Sequence, residues 1–327
     1  MPVKTVLEAI RDGLKEEMAA DERVFVLGED VEEGGVFRAT EGLRDEFGAD
    51  RVMDAPLAES SIVGVAIGAS LNGLIPVAEI QFADFILPAM NQIISEAAKL
   101  RYRSAGDFSC PIVIRTPYGG GGAGGLYHSQ CMEALFAHVP GLKVVAPSTP
   151  YDMKGMIKAA IRDPDPVIYF EHKRTYRMIK GEVPDRDYVV PIGKAEVRRK
   201  GDDLTVISYG LALHYALTAA ETIAKESGIE ATVVDLRTLL PLDRETILEE
   251  AKRTGKILIA HEDNITGGVG AEVAATIAQE AFEFLDAPIM RVAGPDVPAV
   301  PYHPTWEAWY MPSAEKLATA MRALAAY

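Results

Sequence analysis

Short apolar, β-branched runs alternate along the chain with stretches whose apolar residues recur every three or four positions. That alternation predicts parallel strands joined by crossover helices. The expected strands of a first sheet are Val24–Leu27, Ile75–Ile80, Pro111–Arg115, Leu142–Ala146 and Pro166–Phe170, with helices near Ser60–Leu71, Phe85–Ser104, Ser129–Ala137 and Tyr151–Ile161. At the start, Val3, Val6, Leu7, Ile10 and Leu14 fall at helical spacing among Lys4, Glu8, Arg11 and Asp12, which predicts a surface helix and not a signal segment. From Glu171 to Pro191 the apolar period lapses and Lys173, Arg174, Arg177, Lys180, Pro184 and Asp185 take over, so a domain boundary is expected there. The alternation then restarts. Strands are expected at Leu204–Tyr209, Ala231–Leu236, Ile257–Ala260 and Ile289–Val292, and helices near Leu213–Ser227, Asp243–Arg253, Ala271–Glu283 and Ser313–Leu324. The expected fold class is α/β, two doubly wound domains over 1–185 and 186–327.

Composition narrows the function. With 327 residues, 48% hydrophobic and 25% charged, the chain can build two cores, and disorder is excluded. The net charge of −15 is spread over both halves and leaves no basic face, which argues against nucleic acid or an anionic membrane as partner. Cys110 and Cys131 are too few for a disulfide framework and lack metal-ligand spacing, so they are expected to be small buried filler in a reducing cytoplasm. No apolar run approaches the ~18 residues of a membrane span.

Four segments could carry chemistry. Gly119–Gly125 holds six glycines and Ala123, and satisfies G-x-G-x-x-G twice, but no Lys-Ser/Thr follows to make a phosphate loop. The tract implies close backbone approach or positive φ, and a flexible surface loop is the plain alternative. His128 follows at the expected start of a helix, where imidazole suits proton transfer near neutral pH, although a loop histidine taken alone is more often structural. Glu59 enters an apolar helix inside Val52–Ala98, a stretch without Lys or Arg. Desolvation there should raise its pKa and let it share a proton, with a helix-capping role as the alternative. Glu79-Ile80-Gln81-Phe82-Ala83-Asp84-Phe85 ends a strand, and Phe85 offers either a stacking ring or a core aromatic.

Taken together, Leu27-Gly28-Glu29-Asp30, Gly34-Gly35-Val36-Phe37, Pro56-Leu57-Ala58-Glu59, Gln81-Phe82-Ala83-Asp84, His128-Ser129-Gln130, Pro140-Gly141-Leu142-Lys143-Val144-Val145 and Asp235-Leu236-Arg237-Thr238 resemble one family over essentially the whole chain. It is the β subunit of the thiamine-diphosphate-dependent decarboxylating component of 2-oxoacid dehydrogenase complexes. The resemblance implies a pyrimidine-binding domain followed by a transketolase C-terminal-like domain, the latter a dimerisation and assembly module in which Glu262 and Gly267-Gly268-Val269-Gly270 look structural. It implies that Glu59 hydrogen-bonds the cofactor's aminopyrimidine, that Phe85 stacks on that ring with Leu57 and Gln81 among its contacts, and that His128 faces the reacting carbon as proton donor or orienting group. The Gly-Asp-Gly and Asn-Asn elements that grip a diphosphate through a metal are missing. The chain therefore looks like half a site, with Mg²⁺ and diphosphate held by an α subunit in an α2β2 heterotetramer. A structural K⁺ is implied near Ile112, Ala160, Ile161, Asp163 and Asp165, the last of which is Asn in most of the family; solvated loop carboxylates are the alternative there. The acyltransferase core, with its lipoyl domain and basic peripheral-subunit-binding domain, is the implied partner, and the acidic charge suits it.

The segments 79–85 and 126–130 look more like branched-chain members, so the expected reaction is decarboxylation of 3-methyl-2-oxobutanoate with acyl transfer to lipoamide. A pyruvate or acetoin dehydrogenase β subunit is the alternative. A self-sufficient transketolase-type enzyme, an NAD-binding dehydrogenase resting on the glycine tract, and a non-catalytic assembly subunit complete the field.

Overall fold

A computed structural model describes residues 1–327. The chain divides into two compact units, Met1–Tyr118 with Leu135–Ile192, and Gly119–Ala134 with Gly193–Tyr327.

The first unit contains β1 (Val3–Thr5), β2 (Val24–Gly28), β3 (Val52–Asp54), β4 (Ile75–Glu79), β5 (Val113–Tyr118), β6 (Lys143–Val145), β7 (Val167–His172) and β8 (Lys180–Glu182). Six of them form a parallel array in the order β6-β7-β5-β4-β2-β3. β2, β5 and β7 are buried along their whole length, which is why β2 and the leading residues of β5 and β7 read as apolar runs. The helix Val6–Ala20 packs on the helix Pro150–Ile161 and contributes Val6, Ile10, Leu14 and Met18 to the core. A capping box opens it: the Thr5 hydroxyl accepts the Glu8 N–H at 3.2 Å while the Glu8 carboxylate accepts the Thr5 N–H at 2.7 Å.

The second unit contains β9 (Glu196–Arg199), β10 (Leu204–Ser208), β11 (Ala231–Asp235), β12 (Thr238–Leu240), β13 (Ile257–Asn264) and β14 (Met290–Gly294). Its sheet runs β14-β13-β10-β11-β9, parallel except for the antiparallel edge strand β9. The helices Gly210–Ser227 and Ala314–Ala325 cover one face over a core of Leu204, Val206, Leu213, Leu258 and Leu317. No helix in the chain is long and apolar enough to cross a membrane.

Several expectations need correction. The first apolar stretch is a strand before it is a helix, because Val3–Thr5 pairs antiparallel with Lys180–Glu182. The polar run after His172 is therefore folded, with a helical turn at Thr175–Met178 and a strand, although it lacks apolar periodicity. The strand expected from Pro111 starts at Val113, since proline has no N–H for the ladder. The expected regular helix 85–104 is a chain of 3₁₀ turn (Ala83–Ala89), π-turn (Gln92–Glu96), 3₁₀ turn (Ala97–Lys99) and one α-turn (Leu100–Arg103). Pro88 lies inside it and cannot donate to the ladder. Of the two cysteines, Cys110 is buried and Cys131 only half-buried.

Candidate active site

β2 has β3 on one side and β4 on the other, so strand order reverses there. In an open α/β sheet such a reversal leaves a crevice beyond the carboxyl ends of the strands. Three segments run into it: Glu29 and Asp30 after β2, Ala55 to Glu59 after β3, and Ile80 to Phe85 after β4.

Glu59 is the first residue of the helix Glu59–Leu71 and is 9% exposed. The helix is capped by Ala58, which has no capping side chain, so Glu59 does not take the capping role. No hydrogen bond from the chain reaches its carboxylate. Glu29 lies close by: burial, then the charges of Glu59 and Asp30, push its pKa up. Gln81 is oriented by its Nε2 donating to Asp30 Oδ2 at 3.1 Å. Phe85 meets Phe82 edge-on at 5.7 Å, and Phe82 meets Phe37 edge-on at 5.4 Å. The turn holding Phe85 packs against the helix that Glu59 opens. Beside them lies a mainly apolar groove lined by Leu27, Met53, Ala55, Pro56, Ile62 and Val65, with Asp54 and Ser61 as its polar members. Leu57, which follows the groove residue Pro56 in the chain, is 79% exposed. A buried acceptor with no donor of its own beside an apolar groove and an aromatic file suits a flat heterocycle carrying a ring N or N–H.

Behind these loops the strand ends are tied by a buried ion network. Arg115 donates through Nε and Nη2 to the two oxygens of Glu171 at 2.7 and 2.9 Å, and through Nη1 to Glu79 at 2.7 Å. The Tyr176 hydroxyl adds a 2.5 Å bond to Glu171. Burial raises the Glu79 pKa, opposed by Arg115. Three adjacent strands, β4, β5 and β7, are thereby fixed at the end from which Gln81 and Phe85 extend.

His128 belongs to the second unit. It is exposed and caps the end of a 3₁₀ turn, Gly125–Tyr127, at φ −140° and ψ 22°. The helix expected from Ser129 begins only at Glu133. Ahead of His128 the glycine tract is held by carboxylates of the chain. Gly120 N–H donates to Glu262, Gly121 N–H donates to Glu307 at 2.9 Å, and Ala123 N–H donates to Glu307 at 3.1 Å. A nucleotide phosphate would need those same amides, so the tract does not build a dinucleotide site. Farther in, Glu133 and Asp263 are buried acids. Burial first, then Asp263, pushes Glu133 well up, and burial raises Asp263 to about 6. Burial lowers His261 to about 4, leaving a neutral imidazole against which Gly268 and Gly270 pack, where any Cβ would collide.

The residues assigned to K⁺ do not present a vacant cage. Both Asp163 oxygens take the Lys143 ammonium at 2.6 Å, and Asp165 takes Arg101 at 2.5 Å. The carbonyls of Ile112 and Ala160 accept the N–H groups of Val167 and Asp163, and Ile161 adds no side-chain donor.

The fold and the two sites define a transketolase-type chain. Residues 4–178 match the transketolase pyrimidine binding domain and residues 193–317 the transketolase C-terminal domain. Among solved structures, a split-gene transketolase described as an inactive beta4 tetramer superposes with a TM-score of 0.79 at 26% identity, covering 98% of each chain. The chain is 62% identical to the 2-oxoisovalerate dehydrogenase subunit beta of Bacillus subtilis over 100% of both, and 46% identical to the pyruvate dehydrogenase E1 component subunit beta of that organism over 99% of both. The 2-oxoisovalerate dehydrogenase beta subunit of Dictyostelium discoideum is 49% identical over 94% of this chain and 82% of that one. The chain belongs to the family of 2-oxoacid dehydrogenase β subunits.

Glu29, Glu307 and Arg115 were not singled out for chemistry in the sequence. Glu29 sits within the quoted Leu27–Asp30 motif and could have been found from it. Glu307 lies far along the chain from the amides it binds, and no local pattern signals that pairing.

Proposed function

We propose that the chain is the β subunit of a branched-chain 2-oxoacid dehydrogenase, acting in the cytoplasm on 3-methyl-2-oxobutanoate and its homologues and passing the acyl group to lipoamide. The observation that carries the substrate choice is the gap between 62% identity to a 2-oxoisovalerate and 46% to a pyruvate dehydrogenase β subunit, at equal coverage.

Thiamine diphosphate, when bound, supplies the electron sink for decarboxylation of the 2-oxoacid. Glu59 holds the ring nitrogen through a carboxylate that has no competing donor in the chain, and can take or return a proton there. Leu57, Gln81 and Phe85 line the ring and exclude water. His128 donates or orients a proton at the reacting centre from an exposed position on its loop. Mg²⁺ and the diphosphate are assigned to an α subunit in an α2β2 assembly, because the chain lacks the motif for them. The exposed Leu57 and Val65 beside the groove support a partner chain covering it. The lipoyl and peripheral-subunit-binding domains of an acyltransferase core complete the set.

The test is turnover of the chain reconstituted with its α subunit on 3-methyl-2-oxobutanoate and on pyruvate. A larger kcat/KM for the branched acid is expected, and a large advantage for pyruvate overturns the substrate assignment. Glu59→Gln should lose at least ~10²-fold in kcat, the range of acid–base groups. Full turnover by that variant would remove Glu59 from the chemistry.

A further inference from the structure

The glycine tract has the geometry of an anion nest, and the chain fills it with its own side chain. Gly121 and Ala123 both have positive φ, +83° and +55°, which turns their N–H groups to one side, where the Glu307 carboxylate receives both. Alternation of this kind makes an anion-binding concavity. Glu307 is 8% exposed, so these hydrogen bonds are little screened by water.

The acceptor is itself fixed. Glu307 stands on the short helix Pro304–Tyr310, and the ammonium of Lys316 ties the end of that helix by donating to the carbonyls of Ala308 at 3.1 Å and Met311 at 2.6 Å, and to that of Trp309. The tract also lies on the same segment through contact. A Cβ at Gly120 would meet Met311 Sδ at 3.0 Å, and one at Gly125 would meet the Tyr302 ring at 3.0 Å. His128 follows three residues after Gly125, as the C-cap of the 3₁₀ turn Gly125–Tyr127 that the tract leads into.

We propose that Glu307 is a positioning residue for His128: it clamps the glycine tract from the 300–311 segment and keeps solution anions out of the nest. The proposal rests on the proton-transfer role given to His128 above. Glu262 is a second, single-amide clamp at Gly120.

The test uses the chain assembled with its α subunit and compares Glu307→Ala, Glu307→Gln, His128→Ala and the double variant Glu307→Ala/His128→Ala. Amide hydrogen exchange across 119–130 should quicken in Glu307→Ala and return part of the way in Glu307→Gln, whose amide oxygen still accepts. With the thermal midpoint retained, kcat of Glu307→Ala should fall about ten- to a hundred-fold with KM nearly unchanged, the cost of a misplaced group. The double variant should be no slower than His128→Ala, because Glu307 acts through that residue. Losses that multiply in the double variant overturn the positioning role. Unchanged exchange in Glu307→Ala overturns the clamp. Full turnover by His128→Ala sinks the role of His128 and the kinetic half of the proposal with it, while the exchange measurement still decides the clamp.

Discussion

Replacing Arg115 by methionine keeps the bulk of the stem and removes the only cation between two buried carboxylates. Arg115 is 1% exposed, Glu79 4% and Glu171 0%, so water cannot replace the three hydrogen bonds lost. Stranding a buried charge in this way costs about 3–5 kcal/mol. At roughly 2–4 °C per kcal/mol for a protein of this size, the midpoint should fall by about 10 °C. The sign with pH follows from Glu79. Burial already raises its pKa against the pull of Arg115, and in the variant that opposition is gone. It therefore contributes stability that is full below the unfolded pKa and lost as pH rises through the folded value. The deficit against the parent is largest at pH 8 and shrinks as pH falls toward 5. Calorimetry of both proteins at pH 8, 7 and 5.5 reads it directly. Neutralising the partners in Arg115→Met/Glu79→Gln/Glu171→Gln should recover most of the loss, because an uncharged buried triad carries no such penalty. A deficit under about 1 kcal/mol, or one that does not change with pH, would refute the ion-network reasoning.

Other measurements probe the rest of the molecule. Asp263, held near 6 against an ordinary 3.8, contributes stability that is full below pH 3.8 and lost as pH rises through 6. Asp263→Asn should thus gain on the parent at pH 8 and by little at pH 4, read from urea unfolding midpoints. Thr5→Ala removes the acceptor of the first capping box and should lower stability by about 1 kcal/mol, with retained activity showing that the effect is confined to the helix Val6–Ala20. Lys316→Met frees the carbonyls at the end of the Glu307 helix, and proteolysis between 300 and 311 should quicken.

The hydrophobic pattern made the two α/β units legible because parallel strands buried on both faces must be continuous apolar runs, and helices over them must be periodic. Strands that owe their existence to a distant partner were silent. Lys180–Glu182 is polar throughout, and only its pairing with Val3–Thr5 makes it a strand. Glu59 stands out in the sequence as an acid at a helix entrance in a stretch without cations, and the structure places it, 9% exposed, at the first position of that helix. The irregular path of 83–103 was announced only by Pro88, since periodicity does not distinguish α, 3₁₀ and π turns.

The glycine tract shows where local reading ends. Six glycines predict close backbone approach or positive φ, and Gly119, Gly121, Ala123 and Gly125 do take positive φ; what the tract does not contain is the identity of the group its amides meet. A phosphate and a carboxylate of the same chain ask the same geometry of the loop, and they differ only in whether the charge arrives from solution or is carried on another element. In this chain Glu307 and Glu262 bring it, so a sequence feature typical of nucleotide enzymes serves instead to fasten a loop. If Glu307 acts as proposed, acids at 262 and 307 replace bound ligand with built-in ligand, so the ordering entropy of the loop before His128 is spent in folding and not in each catalytic cycle.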